Sequence, residues 1–218
     1  MREVFQQELQ EVQDRLVEIS TLVAHSIGNA TTAFNESDVA LAESVIAEDA
    51  KIDMLAAELD ELAITILARQ QPVARDLRIV VSALRISASL ERMGDLAEHI
   101  AQLARYRFPE KVVPKGLRPT FVEMGRLDTE IAHKLTDLLK TENLVIAEYI
   151  RDEDEKVDAL HLAVFDKMLG ETWKGGAVDT VDATLASRYH ERFADHAVSI
   201  AKKVQYLATG DWVPAPAE

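Results

Sequence analysis

The chain contains no cysteine, which excludes disulfides, thiolate catalysis and sulfur-rich metal sites and fits a reducing compartment. Eight glycines and six prolines in 218 residues are too thinly spread for a glycine-rich phosphate loop or a nucleotide fingerprint. No Ser-His-Asp pattern of a hydrolase appears either. No stretch approaches the roughly 18 uninterrupted apolar residues that a bilayer-spanning helix needs. The segment Met1-Arg2-Glu3-Val4-Phe5-Gln6-Gln7-Glu8 is polar and acidic where a secretory signal has an apolar run. Basic residues are also in deficit. The 24 lysines and arginines stand against 38 acids, for a formal net charge of −14. General nucleic-acid binding, which needs clustered Lys and Arg, is disfavoured, and cations or basic protein surfaces are the better partners.

What the chain has in abundance is helical periodicity. Apolar residues recur every three or four positions, and no segment alternates long enough for a half-buried strand. The pattern predicts an all-α protein with six helices, at 3–34, 37–69, 73–107, 119–140, 142–169 and 178–208. Asn35-Glu36-Ser37 offers capping side chains, Gln71-Pro72 separates two helices, and Gly175-Gly176 interrupts the second half. The segment from Phe108 to Pro119 holds three prolines and a glycine and reads as a linker. The expected organisation is a first three-helix unit at 1–108, a linker at 109–118, a second unit at 119–209 and a disordered tail at 210–218.

The two units repeat one another. Glu91-Arg92-Met93-Gly94-Asp95-Leu96-Ala97-Glu98-His99-Ile100-Ala101 returns one hundred positions later as Glu191-Arg192-Phe193-Ala194-Asp195-His196-Ala197-Val198-Ser199-Ile200-Ala201, with six of eleven positions identical. Glu48-Asp49-Ala50-Lys51-Ile52-Asp53 is echoed by Glu153-Asp154-Glu155-Lys156-Val157-Asp158 at an offset of 105. The change of offset implies five residues lost in the second half between its second and third helices. Tandem, pseudo-twofold related three-helix bundles follow, because long amphipathic helices with short connections pack antiparallel.

Four acidic pairs of spacing i, i+4 occupy matched places in this repeat: Asp49 with Asp53, Glu91 with Asp95, Asp154 with Asp158, and Glu191 with Asp195. Residues four apart share a helix face, and two like charges so placed call for a counter-charge. Hard oxygen ligands suit divalent or trivalent cations. Chance alone yields about three such pairs in a chain of this composition, so the spacing is a weak signal by itself. The chain holds five, the fifth being Glu148 with Asp152, and it is the matched placement of four that carries weight. On the last helix the apolar stripe Phe193, Ala197, Ile200, Val204 and Leu207 leaves Glu191 and Asp195 on nearly the opposite side, at the surface or in a groove. A solvated acidic face is the competing reading. A ferritin-like di-iron bundle would need paired Glu-x-x-His motifs, and Glu130 with His133 has no second copy. The six histidines are dispersed and read as packing or surface residues.

Half of the fourteen arginines gather around the third helix: Arg69, Arg75, Arg78, Arg85, Arg92, Arg105 and Arg107. Arg78, Arg85 and Arg92 lie seven apart and share a face. They read either as a surface laced with ion pairs to Glu91, Asp95 and Glu98 or as a partner contact.

The block Gln70-Gln71-Pro72-Val73-Ala74-Arg75-Asp76-Leu77-Arg78, followed by the two Glu-Arg-x-[Gly/Ala]-Asp blocks, resembles the PhoU family of phosphate-signalling regulators across essentially the whole chain. The resemblance implies two similar three-helix bundles with multinuclear surface metal sites at Asp49, Asp53, Glu91, Asp95, Asp154, Asp158, Glu191 and Asp195, holding Fe, Mn, Mg or Zn. It implies a non-enzymatic, negative regulator that joins the ATPase of a phosphate ABC transporter to a sensor histidine kinase. Such a protein is expected in the cytoplasm, peripheral to the inner face of the membrane through its partners, and as a homodimer. Arg75, Arg78 and Arg85 are the expected partner contacts. The competing functions are an accessory subunit of a different phosphate transporter and a carboxylate-bridged metal oxidase or hydrolase. The second half lacks the Pro72–Arg78 block, having Gly175-Gly176-Ala177-Val178-Asp179 in its place, so a contact made by that block would belong to one half. Ala194 replaces Gly94, and both are small enough that neither metal site is expected to be lost.

Overall fold

Every apolar run forms a helix in the computed structural model, which describes residues 2–114 and 116–210. The helices are α1 (Arg2–Glu36), α2 (Val39–Gln70), α3 (Ala74–Arg107), α4 (Arg118–Thr141), α5 (Leu144–Leu169) and α6 (Ala177–Thr209). At about 1.5 Å per residue, α1 and α3 are rods of roughly 50 Å. The expected tail lies almost wholly outside the described residues; Gly210, its first residue, ends α6 in the left-handed conformation.

The helix ends have local causes. α1 runs on through Glu36, and the cap of α2 is Asp38, whose carboxylate accepts from the Leu41 amide at 3.0 Å. The Asn35-Glu36-Ser37 segment therefore does not supply that cap; Ser37 instead makes the turn with a positive φ of 61°. Gln71, left-handed at φ 47°, ends α2 and places Arg69 in the last turn of α2 and not on α3. Asp179 accepts from the Gly176 amide at 2.8 Å at the start of α6. The residues lost from the second half come out of helix and not out of the connection. α5 has 26 residues against 32 in α2, while the connection grows from 71–73 to 170–176.

α1, α2 and α3 pack mutually, as do α4, α5 and α6. Corresponding helices then meet across the middle, α1 on α4 and α3 on α6, while among the described residues α2 and α5 pack only within their own half. The buried side chains of both halves form one continuous core, with Phe34 and Phe121 edge to face at 5.3 Å where α1 and α4 meet. Small residues permit that crossing: a Cβ on Gly125 would stand 2.8 Å from the Thr31 Cβ. The linker is anchored by the buried Val112, Val113 and Leu117. Polar ties also cross the middle. Ser20 and Thr136 share a buried hydrogen bond of 2.8 Å. Arg107 on α3 grips the buried Asp182 on α6 with two nitrogens, Nε and Nη2. With α1, α3, α4 and α6 committed to the middle, the α2–α3 and α5–α6 grooves are left on the flanks.

Candidate metal centres on the two flanks

The α2–α3 groove gathers the first set of acids. Asp49 and Asp53 stand one turn apart on α2, and Asp95 faces them from α3, so that one ligand oxygen from each lies within 4.8 Å of the others. Asp49 is only 8 % exposed, and its Oδ1 is buried with no hydrogen-bond partner. Such an orphan oxygen is costly in a folded protein unless something positive satisfies it. Burial, followed by the fields of Asp53, Glu98, Asp95 and Glu91, pushes the Asp49 carboxyl up to about 7. Glu91 is raised for the same reasons, burial first and then Asp53, Asp95 and Asp60. The close approach depends on Gly94: a Cβ there would lie 2.9 Å from the Asp49 Oδ1 and 3.2 Å from Ile52. A set of oxygen donors with a buried, unpartnered member fits a hard cation, which would relieve the repulsion that raises these carboxyls.

The α5–α6 groove holds the matching set. Asp154 is half-buried with an unpartnered Oδ1, and Glu191, 13 % exposed, has an unpartnered Oε2. Burial first, and then the charges of Asp158, Asp195, Glu191 and Asp128, push Asp154 up to about 7. Asp158 is raised by burial and by Asp195, and Glu191 by burial and by Asp195. Among the described residues, only the first-half trio brings three ligand atoms within 4.8 Å. The second set is less closely gathered and contains built-in cations. Arg188 pairs with Glu191, and Arg192 with Asp195 at 3.4 Å. Arg92 makes the equivalent pair with Asp95 in the first half.

The other sequence features separate from these grooves. Glu130 of the Glu-x-x-His spacing is engaged by Tyr149 and Arg126. Asp152 of the fifth pair is exposed and lies 3.8 Å from Arg151. Arg75 is exposed near Glu142, at 3.9 Å, and lines a different hollow from Arg78 and Arg85. Arg78 and Arg85 share a groove of about 410 Å³ with Leu77, Val81, Ser82 and Tyr206. The Arg78 guanidinium lies 5.9 Å from the centre of the Tyr206 ring, and among the described residues neither arginine forms an ion pair.

Two features escaped sequence reasoning. Glu98, whose field reaches Asp49, had a visible signal, lying three positions after Asp95, but its counterpart Val198 hides it from a search for duplicates. The wholly buried His190 on α6 and Asp128 on α4 meet at 2.6 Å, 62 positions apart, with no local pattern to announce them. Burial pushes Asp128 up to about 6, against the opposing effect of His190.

Comparison with known proteins agrees with this duplicated architecture. The PhoU domain matches twice, over residues 16–104 and 121–204. The phosphate-specific transport system accessory protein PhoU homolog 2 of Mycobacterium tuberculosis is 40% identical over 210 residues, 96% of this chain and 99% of that protein. The PhoU homolog 1 of Mycobacterium leprae is 39% identical over 212 residues, covering 97% and 96% of the two chains. The crystal structure of PhoU from Pseudomonas aeruginosa superposes with a TM-score of 0.87 at 28% identity, covering 95% of this chain and all of that one. With both halves matched by the domain and nearly the whole length shared with these relatives, the chain belongs to the PhoU family.

Proposed function

We propose that this chain is a metal-bearing negative regulator of phosphate uptake and phosphate-starvation signalling, working as an adaptor between the ATPase of a phosphate ABC transporter and a sensor histidine kinase. The observation that carries the reading is the end-to-end similarity to proteins named as phosphate-specific transport accessory proteins. An adaptor acts by differential affinity for the two signalling states of its target and needs no turnover. It is therefore read as a non-enzymatic protein of the cytoplasm, a homodimer, brought to the membrane by its partners. No helix among the described residues is long and apolar enough to cross a membrane.

In this reading, Asp49, Asp53, Glu91 and Asp95 would hold one cation centre, and Asp154, Asp158, Glu191 and Asp195 the other. Fe, Mn, Mg or Zn would supply positive charge that ties α2 to α3 and α5 to α6. The chain's own carboxylates do the holding, and the unpartnered oxygens of Asp49 and Asp154 support the assignment. Arg75, Arg78 and Arg85 serve as partner contacts. Deleting the gene in a host with no second family member should leave phosphate-starvation genes expressed in high phosphate, read by a reporter. Normal repression in that strain would overturn the proposal.

A further inference from the structure

The two acidic grooves derive from one repeat, yet three exchanges separate them. Glu98 is a fourth carboxylate in the field around Asp49, beside Asp53, Asp95 and Glu91; the second half has Val198 in its place, and Asp154 feels instead the buried Asp128, which is tied to His190. Arg188 sits on Glu191 in the second half, and the first half has Ala88 there. Gly94 opens the space beside Asp49 that a Cβ would fill, and the second half has the buried Ala194. The arginine following the repeated glutamate is common to both, so these exchanges set the difference. The first groove is the more closely assembled, with three ligand oxygens within 4.8 Å of one another, and its central Asp49 is more deeply buried than Asp154. The second is partly neutralised before any ion arrives.

We infer that the two grooves are unequal cation sites, a tight one in the first half around Asp49 with Glu98 as an additional contributor, and a weaker, exchangeable one in the second half that a cation enters by displacing Arg188 from Glu191. The inference rests on the metal reading above and extends it to which centre responds to the supply of free cation. A lost carboxylate lowers cation affinity and a removed guanidinium raises it, because both charges act at short range on the site.

The test is a titration of the full-length, chelator-treated protein with Mn²⁺, following free ion by electron paramagnetic resonance, with melting curves on every variant. Two classes of site are expected. Asp49→Asn should abolish the tight class and Asp154→Asn the weak one. Glu98→Gln should weaken the tight class about tenfold and leave the weak class in place. Arg188→Ala should tighten the weak class about tenfold, equivalent to roughly 1.4 kcal/mol. Arg188 is 51 % exposed, so its removal leaves the core intact. A single class of equal sites, a weak class unmoved by Arg188→Ala, or loss of the tight class in Asp154→Asn would each overturn the inference while leaving the metal reading standing. Absence of Mn²⁺ binding in the unaltered chain would overturn both.

Discussion

Asp49 concentrates the chemistry of the first groove in a single carboxylate: nearly buried, facing other acids, and raised to about 7 from its usual 3.8. Asp154 is raised to the same value in the second groove. A carboxyl whose folded pKa exceeds its unfolded one binds more protons in the folded state between the two values, so stability falls as pH rises through that window. In EDTA the protein should therefore melt at a lower temperature at pH 8 than at pH 5. Asp49→Asn should reduce this difference, and saturating Mn²⁺ should raise the melting temperature at pH 8, where protons no longer compete for the ligands. Melting curves from pH 5 to 8 with and without chelator check both signs. Gly94 has an equally specific role, for its missing Cβ is what admits the Asp49 carboxylate. Gly94→Leu should cost about 1–3 kcal/mol through overpacking and remove the first-half metal from elemental analysis. An unaltered metal content in a folded Gly94→Leu protein would detach the groove from metal binding.

At the scale of elements, the helices divide into those that close the middle and those that form the grooves. α3 and α6 do both, one face reaching across to each other and another turned to α2 or α5. The Arg107–Asp182 pair is the polar tie on the middle face, and Asp182 is buried while Arg107 is partly exposed. Removing one member of such a pair leaves an unsatisfied acceptor, which costs about 1–3 kcal/mol. Arg107→Ala should lose stability of that order in urea denaturation, and adding Asp182→Asn should recover part of it by removing the stranded charge. The connection before α6 is longer, and at the repeat offset of 100 Val178 and Leu185 stand where α3 has Arg78 and Arg85. The arginines of the Arg78–Arg85 groove are thus supplied by one half only, although Tyr206 of α6 also lines it.

At the scale of the whole molecule, a net charge of −14 makes that basic groove an exception on the surface. Lys203 lies close enough to Arg85 that its ammonium is lowered, by burial first and then by that arginine. Charges at an interface set encounter rate and salt sensitivity more than intrinsic affinity. Reversing Arg78 and Arg85 to Glu should slow association with the transporter ATPase and the kinase and flatten its dependence on salt, measured by surface plasmon resonance across ionic strengths. Unchanged binding to both would make the groove an ordinary solvated surface.

The six helices, the order of the repeats and the acidic pairs were legible in the residues themselves, because helical periodicity and i, i+4 spacing are local properties that one strand of sequence carries in full. The boundaries near Ser37 depended on which side chain the folded backbone presented to the free amides, and Asp38 reached the Leu41 amide first. The tertiary structure alone decided that Asp49 would be nearly buried while Asp53 stays exposed, that Glu98 would join the first groove, and that Asp128 would meet His190. These are contacts between helices, set by crossing geometry and by where a missing Cβ lets two backbones approach. The same distinction separates the grooves: their repeated acids were visible as a pattern, and Arg188 acts locally on Glu191 of its own helix, but Glu98 and Gly94 act only through Asp49 on the neighbouring helix.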